Sequence, residues 1–130
     1  MQIDHSQPTP ITVGDHIRKV RSERKLTQTQ AAEVMAVSEA TVLNWEKGET
    51  DPPIAYWPAI IAFLGYDPNP AGTGLAERMR AYRRHCGLSI KEAAARARVD
   101  EGSWGTWERT GHVPWKRYRE ALDRLLDRMS

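Results

Sequence analysis

The sequence predicts an all-α fold that is built as a tandem repeat. Apolar residues recur at helical spacing, and no stretch alternates apolar and polar residues for long enough to indicate a strand. Two segments, "LNWEKG" at 43–48 and "GTWERTG" at 105–111, carry the same Trp-Glu pair. Small polar residues precede the apolar-periodic segments and glycines follow several of them, which is typical of helix ends.

The repeat extends well beyond the Trp-Glu pair. A shift of 62 residues (107 − 45) brings identical residues into register over about fifty positions without a gap. The matched residues of the first copy are Arg18, Arg21, Leu26, Ala31, Ala32, Val37, Glu39, Trp45, Glu46, Pro52, Tyr56, Ala59 and Leu64. This pattern predicts a flexible arm over 1–13, a first copy over 14–65, a linker over 66–74 and a divergent second copy over 75–130.

Three helices are predicted at the start of each copy. In the first copy, Ile17 and Val20 form the apolar face of a helix over about residues 14–25. Thr27 is the expected N-cap of the second helix, "QTQAAEVMA", and Ser38 is that of the third, "EATVLNWEK". Gly48 is expected to end the third helix.

A further helix closes each copy, so that each contains four to five. In the first copy, Pro58 lies near its start and Gly65 follows "AIIAFL" at its end. In the second copy, Ser89 and Asp100 are the expected N-caps of the second and third helices. Its last helix carries an apolar stripe that consists of Trp115, Tyr118, Leu122, Leu125, Leu126 and Met129.

Composition excludes several classes of protein. The 130 residues are 40% apolar, enough for a packed core, but no apolar run approaches the length of a membrane span. The N-terminus lacks the basic and apolar segments of a secretory signal. Cys86 is the only cysteine, which excludes an internal disulfide and fits a reducing cytoplasm. No cluster with metal-ligand spacing and no catalytic constellation is present, so neither a cofactor nor an enzyme is expected.

The net charge of +2 conceals an asymmetry between the two halves of the chain. Six Lys/Arg and nine Asp/Glu residues lie in 1–75, a balance of −3. Thirteen Lys/Arg and eight Asp/Glu residues lie in 76–130, a balance of +5. The second half is therefore the better candidate for contact with a polyanion, although arginines that only solvate helix faces would give the same count.

The segment "LTQTQAAEVMAVSEATVLNWEKG" resembles the helix-turn-helix of the lambda-repressor-like, or Xre, family of DNA-binding proteins along its whole length. Ala32 lies where the second and third helices would cross, and apolar residues fill their inner faces. The resemblance covers both copies. It implies two tandem lambda-repressor-like bundles in which the second helix crosses the DNA backbone and the third enters the major groove.

The resemblance also implies a structural role for the repeated Trp-Glu pair. Glu46 matches an acidic position that, in the family, pairs with a basic residue of the first helix, which here is Arg21. The repeat preserves both partners as Arg83 and Glu108. The tryptophans are expected to anchor the third helices in the core.

Candidate DNA contacts follow from the match to the family's motif. The candidate base-reading residues are Ser38, Glu39, Ala40, Thr41 and Asn44. Among them, Asn44 would pair with adenine and Glu39 would accept from cytosine, whereas the alternative is that both are simply solvated. The candidate phosphate contacts are Gln28 and Lys47 in the first copy and Lys91, Arg96, Arg98 and Arg109 in the second.

The second copy departs from the motif at its predicted DNA-facing positions. Ile90 stands where the first copy has Gln28, and Thr106 stands where it has Asn44. Two glycines in the predicted third helix lower its stability by about 0.5–1 kcal/mol each relative to alanine. The second copy is therefore expected to read bases poorly.

Two further departures affect packing. The turn between the second and third helices, where the family usually has glycine, has Ala36 in one copy and Arg98 in the other. In the second copy the larger Trp104 replaces a valine, and the smaller Ala97 is expected to offset its volume.

Together these features predict a sequence-specific, double-stranded-DNA-binding transcriptional regulator of a prokaryote or phage, cytoplasmic and nucleoid-associated, that is a monomer or a weak homodimer. The first copy would read bases and the basic second copy would grip phosphates. The alternative is an antitoxin or adaptor in which one copy binds a protein through Trp57 or Trp115, both outside the helix-turn-helix segments. An exposed apolar patch around these tryptophans favours the alternative, and a continuous basic face favours DNA.

Overall fold

The computed structural model describes residue 10, residues 12–69 and residues 72–128, which contain eight α-helices and no strand. The helices are α1 (Val13–Glu23), α2 (Gln28–Met35), α3 (Glu39–Lys47), α4 (Trp57–Leu64), α5 (Leu75–Cys86), α6 (Ile90–Ala97), α7 (Glu101–Thr110) and α8 (Lys116–Asp127), with a 3-10 turn at Ile54–Tyr56. The all-α prediction is confirmed. Most of the predicted arm over 1–13 lies outside the described residues.

The described residues group into two compact units. Unit 1 comprises the residues up to Pro52 together with Ala59–Asn69, and unit 2 comprises Pro53–Pro58 together with the residues from 72 onward. Residues 53–58 therefore belong to the first copy of the repeat but pack in unit 2. Within unit 2, a Cβ built on Gly87 would lie 3.0 Å from the Pro58 side chain.

Side-chain caps begin four of the eight described helices. In Thr12, Thr27, Ser38 and Ser89, the hydroxyl oxygen accepts a hydrogen bond of 3.1 Å from the backbone N–H three residues later. Asp100 is the N-cap of α7, as predicted, but it lacks the side-chain cap hydrogen bond. Its carboxylate accepts from the Ser103 hydroxyl instead.

Three helix ends rely on non-glycine residues in the left-handed conformation. Lys25, Ala36 and Arg98 have φ values of 57°, 58° and 59°. Ala36 and Arg98 are the C-caps of α2 and α6, so the turn keeps the geometry that glycine usually supplies. The predicted first and second helices, which ran to 25 and 36, were too long because a left-handed residue cannot continue a right-handed helix.

Each unit has a core of its own. In unit 1 the largest fully buried side chains are those of Ile17, Val42 and Ile60, with Trp45 and Phe63 close to full burial. In unit 2 the core cluster consists of Met79, Tyr82, Leu88, Ala93, Ala94, Trp104, Trp107, Val113, Leu122 and Leu126.

The apolar stripe predicted for the last helix needs correction at its first residue. Trp115 is the N-cap of α8 rather than a helical residue, and 58% of its surface is exposed. Tyr118 and Leu125 are partly buried against the core, and Leu122 and Leu126 are buried. The last predicted member, Met129, lies outside the described residues.

Helices α1 and α3 approach each other closely at Gly14. A Cβ placed on Gly14 would lie 1.8 Å from the Trp45 carbonyl oxygen and 3.1 Å from the Glu46 Cα. The residue 62 positions later is Ala76, which is buried at the start of α5. The two units therefore differ in how closely their first and third helices pack.

Candidate nucleic-acid interface

The third helix of unit 1 has one face in the core and the opposite face in solvent. Val42, Trp45 and Glu46 are buried, as expected for residues spaced three and four apart on one side of a helix. At about 100° per residue, Ala40, Asn44 and Lys47 lie on the opposite side. This outer face is the surface that the resemblance to the Xre family assigns to the major groove.

The candidate base-reading residues lie at the cap of α3 or within its first six residues. Ser38, Glu39 and Ala40 are exposed, and Thr41 and Asn44 are partly exposed. The Ser38 hydroxyl already accepts from the Thr41 backbone N–H and lies 2.8 Å from the Thr41 hydroxyl. These two hydroxyls therefore support each other at the helix start. Among the base-reading candidates, Asn44 lies furthest along the outer face.

A buried carboxylate fixes α3 against α1 and α2. Glu46 is 4% exposed, and Arg21 donates to both of its oxygens, from Nε at 2.8 Å and from Nη2 at 2.9 Å. This hydrogen bond to Glu46 raises the pKa of Arg21. Arg18 adds a hydrogen bond of 2.9 Å to the backbone carbonyl of Glu46. The position of the outer face thus depends on an ion pair beneath it.

Unit 2 repeats this arrangement at Glu108, which is 6% exposed. Arg83 donates from Nε at 2.8 Å and from Nη2 at 2.6 Å, and Arg80 donates to the Glu108 carbonyl at 2.9 Å. The equivalent arginines therefore make equivalent bonds in the two units.

The third side-chain donor to the carboxylate differs between the units. In unit 1 it is Gln28, whose Nε2 donates to Glu46 at 3.2 Å. In unit 2 the matching Ile90 has no donor, and the indole Nε1 of Trp104 donates to Glu108 at 2.8 Å instead. The buried carboxylate thus keeps three side-chain hydrogen bonds in both units, from donors on different helices.

This exchange adds a role to Gln28 that the sequence did not predict. Its amide has two N–H groups, so that one can serve Glu46 while the other stays available at the start of α2. For Trp104, the sequence predicted a volume exchange but not the hydrogen bond. The repeat contains an indication of this hydrogen bond. The second copy lacks a side-chain donor at position 90, where the first copy has Gln28, and has one at position 104, where the first copy has a valine.

Unit 2 is expected to lose stability in acid. Burial raises the pKa of Glu108, but the hydrogen bonds from Arg83 and Trp104 outweigh it and hold this pKa below its ordinary value of 4.5. A carboxylate whose folded pKa is lowered stabilises the fold above its unfolded pKa, and that contribution is lost as the pH falls through the folded pKa.

Urea unfolding, followed by fluorescence at pH values from about 7 to about 3, measures this loss, which should begin below about pH 4.5. In the Glu108→Gln variant the same dependence should be shallower. An identical pH dependence in both proteins would show that other carboxylates govern acid unfolding.

The third helix of unit 2 presents a different surface. Asp100 and Glu101 are both exposed at its start, whereas α3 begins with a neutral serine and one glutamate. Thr106, at the position of Asn44, accepts a hydrogen bond of 3.3 Å from Arg109. The start of α7 is thus more acidic than the start of α3 and less suited to approach phosphates.

The basic candidates of unit 2 do not lie together on α7. Lys91 is exposed at the second position of α6, and Arg109 is exposed in the last turn of α7. Arg96 and Arg98 are exposed at the C-terminal end of α6. In unit 1, Lys47 is exposed at the end of α3.

The two tryptophans outside the helix-turn-helix segments differ in exposure. Trp57 is half-buried, whereas Trp115 is exposed and lies edge-on to Tyr118, with the ring centroids 5.9 Å apart. Over the part of the chain that the structure describes, no helix is long and apolar enough to cross a membrane. The same residues contain no group of three His, Cys, Asp or Glu side chains that could hold a metal ion.

Comparison with known proteins identifies both halves of the chain. Residues 17–70 match a family model described as helix-turn-helix, and residues 75–129 match a second one described as a helix-turn-helix domain. No curated protein and no solved structure gives a significant match. The first of these families is the Xre, or lambda-repressor-like, family that the sequence resembles. The chain therefore carries two helix-turn-helix domains in tandem, of the kind found in DNA-binding proteins.

Proposed function

We propose that this protein is a sequence-specific regulator of transcription in which α3 of unit 1 reads bases in the major groove of duplex DNA. The observation that carries this proposal is the outer face of α3. It is solvent-exposed and polar, it is held by the buried Arg21–Glu46 pair, and it lies in a segment that matches a DNA-binding family. Asn44 is the central reader, since an amide can pair with both hydrogen-bonding groups of adenine.

Phosphate contacts would position this helix. In unit 1, Gln28 lies at the start of α2, and Lys47 lies on the outer face at the end of α3. Unit 2 adds affinity rather than selectivity through Lys91, Arg96, Arg98 and Arg109, because contacts with phosphates carry no direct base information. The acidic start of α7 supports this division of roles.

This function places the protein at the nucleoid of a prokaryotic cytoplasm or on a phage operator. It requires no cofactor and no catalytic step, in line with the typically non-enzymatic character of the matched families. A monomer suffices, since two domains in one chain can contact two successive segments of groove, and a weak homodimer would extend the site.

Replacement of Asn44 by alanine is expected to weaken binding to the preferred duplex by about 1–3 kcal/mol and to relax selectivity at one base pair. The physical reason is the loss of a bidentate contact with a base edge. The preferred duplex comes from selection in a random pool at fixed salt, and affinity titrations with single-base variants then locate the relaxed position.

The matched control is Thr106→Ala, which removes the polar side chain at the equivalent position of α7. It should leave base preference unchanged. If Asn44→Ala keeps the affinity and preferences of the parent protein, Asn44 does not read DNA. If neither variant nor the parent distinguishes the selected duplex from a scrambled one, the proposed function itself is wrong.

A second candidate function is binding to a protein, as in an antitoxin or adaptor. The observation that favours it is Trp115, whose exposed ring stands beside Tyr118 and Arg117 at the start of α8. Exposed tryptophan and arginine are enriched in protein interfaces. Under this function Trp115→Ala would abolish capture of the partner and leave DNA affinity unchanged.

A further inference from the structure

Four arginines line one cleft of unit 2, and no residue of α7 lines this cleft. One part of the cleft, with a volume of about 400 Å³, is lined by Tyr82, Cys86, Arg96, Leu125 and Arg128. The adjoining part, of about 420 Å³, is lined by Arg96, Ala97, Arg98, Ala121, Arg124, Leu125 and Arg128. Arg96, Leu125 and Arg128 line both parts, which therefore adjoin between the C-terminal end of α6 and the face of α8.

The cleft carries four positive charges and no carboxylate among its lining residues. Apart from Glu92 of α6 and the exposed Glu101 in the first turn of α7, the described carboxylates of the surrounding helices are engaged elsewhere. Asp123 and Asp127 of α8 accept from Arg78, and Glu108 of α7 accepts from Arg83. Glu77 pairs with Arg80, and Glu120 with Lys116.

Glu92, one turn before Arg96, is the acidic group whose field reaches the cleft. Its carboxylate is held in the capping box with Ser89. At the start of α7, the Asp100 carboxylate accepts from Ser103. Among the described residues, none of the four cleft arginines has a carboxylate within ion-pair distance, and they would repel one another without an anion.

Helix dipoles do not account for four arginines. A cation near a helix C-terminus is stabilising, and Arg96 and Arg124 lie in the last turns of α6 and α8. Arg98 and Arg128 are the C-caps of the same two helices. Two cations at each end, all directed to one shared cleft, exceed what dipole compensation requires.

Arg96 lies beside two residues of α5, since Tyr82 and Cys86 line the same part of the cleft. A hydrogen bond with the Tyr82 side chain raises the pKa of Arg96, and Cys86 contributes in the same direction. Leu125 and Ala97 supply apolar surface between the charged groups.

We propose that Arg96, Arg98, Arg124 and Arg128 form a phosphate-binding cleft that accepts at least two phosphate groups. Guanidinium groups bind phosphate oxygens in pairs, and two arginines on each wall suit a ligand with more than one phosphate. The phosphates belong either to the backbone of duplex DNA, in which case the inference rests on the proposed function, or to a free phosphorylated compound. Arg124 and Arg128 are the new members, and they act with the C-terminal end of α6 rather than with α7.

The test uses the full chain and two double variants on the same helix. The cleft variant is Arg124→Gln with Arg128→Gln, and the control is Arg117→Gln with Arg119→Gln, which removes the same charge from exposed positions outside the cleft. Calorimetric titration with inorganic pyrophosphate at constant ionic strength measures the first arm. Titration of the selected and scrambled duplexes at three salt concentrations measures the second.

The parent protein should bind pyrophosphate, and the cleft variant should bind it at least about tenfold more weakly, because charge-assisted hydrogen bonds are lost. If DNA is the source of the phosphates, the cleft variant also weakens both duplexes alike. The slope of log affinity against log salt then becomes shallower by up to about two units. If the source is a free compound, pyrophosphate binding falls while DNA affinity equals that of the control.

The proposal is wrong if the cleft variant binds both pyrophosphate and the duplexes as tightly as the parent protein does. It is also wrong if the control variant shows equal losses, since these would then reflect net charge alone. The pyrophosphate arm does not depend on DNA. A protein that shows no preference for the selected duplex, but whose pyrophosphate binding falls only in the cleft variant, keeps this inference while losing the proposed function.

Discussion

Replacement of Glu108 by alanine is expected to lower the free energy of unfolding of unit 2 by about 3 kcal/mol. The side chain is nearly buried and accepts three hydrogen bonds, two from Arg83 and one from Trp104. Its removal leaves the Nε and Nη2 groups of Arg83, whose side chain is only 16% exposed, and a buried indole N–H without their acceptor. The penalty of these unpaired groups exceeds the loss of the ion pair itself.

Glu46→Ala should have a similar effect on unit 1, since Arg21 and Gln28 lose the same acceptor. Denaturant unfolding measures both variants. The controls are Glu120→Ala in unit 2 and Glu49→Ala in unit 1, which remove exposed carboxylates and should change stability by less than about 1 kcal/mol. Unfolding midpoints equal to those of the controls would show that these pairs do not hold the third helices.

Gly14→Ala is expected to destabilise unit 1 by about 3 kcal/mol, although alanine is the better helix former. The added Cβ would lie 1.8 Å from the Trp45 carbonyl oxygen and 2.7 Å from the carbonyl carbon. Both are backbone atoms, so no side-chain rotation relieves the overlap, and α1 must move away from α3. The gain of about 1 kcal/mol in helix propensity is smaller than this strain.

Unit 2 contains the matched control at the equivalent position. Ala76→Gly removes a Cβ that the unit already accommodates. The free energy of unfolding of unit 2 should therefore fall by only about 1 kcal/mol, mainly through helix propensity. Thermal unfolding of the two variants gives the comparison. A melting temperature that rises in Gly14→Ala would contradict the close approach of α1 and α3.

The fold was predictable because its signals are local. Periodic apolar residues and the caps at Thr27, Ser38 and Ser89 define the helices, and each of these hydroxyls forms the expected bond. Asp100 shows where such reasoning fails. The N-cap position follows from the sequence, but whether the side chain bonds the backbone or a neighbouring hydroxyl depends on competition with Ser103.

The candidate site was predictable only in part. The Arg21–Glu46 pair follows from the family's motif, and the repeat points to the same pair in unit 2. The sequence did not predict the hydrogen bond from Trp104 to Glu108. A tryptophan at a core position is expected to fill volume, and the sequence does not show where its indole N–H will find an acceptor. The cleft was missed because Arg124 and Arg128 lie about 26–32 residues from Arg96 and Arg98, and no local pattern shows that α8 packs beside α6.

The exchange of the third donor has a consequence for how the gene can change. The donor positions, 28 or 90 on the second helix and 42 or 104 on the third, are separated along the coding sequence. Unequal crossing-over between the two repeats within that interval would create a third copy that joins Ile90 to Val42. In that hybrid domain, neither Gln28 nor Trp104 would be present to donate the third hydrogen bond to the buried glutamate. The hybrid would be less stable, so the addition of a third repeat by this route is disfavoured.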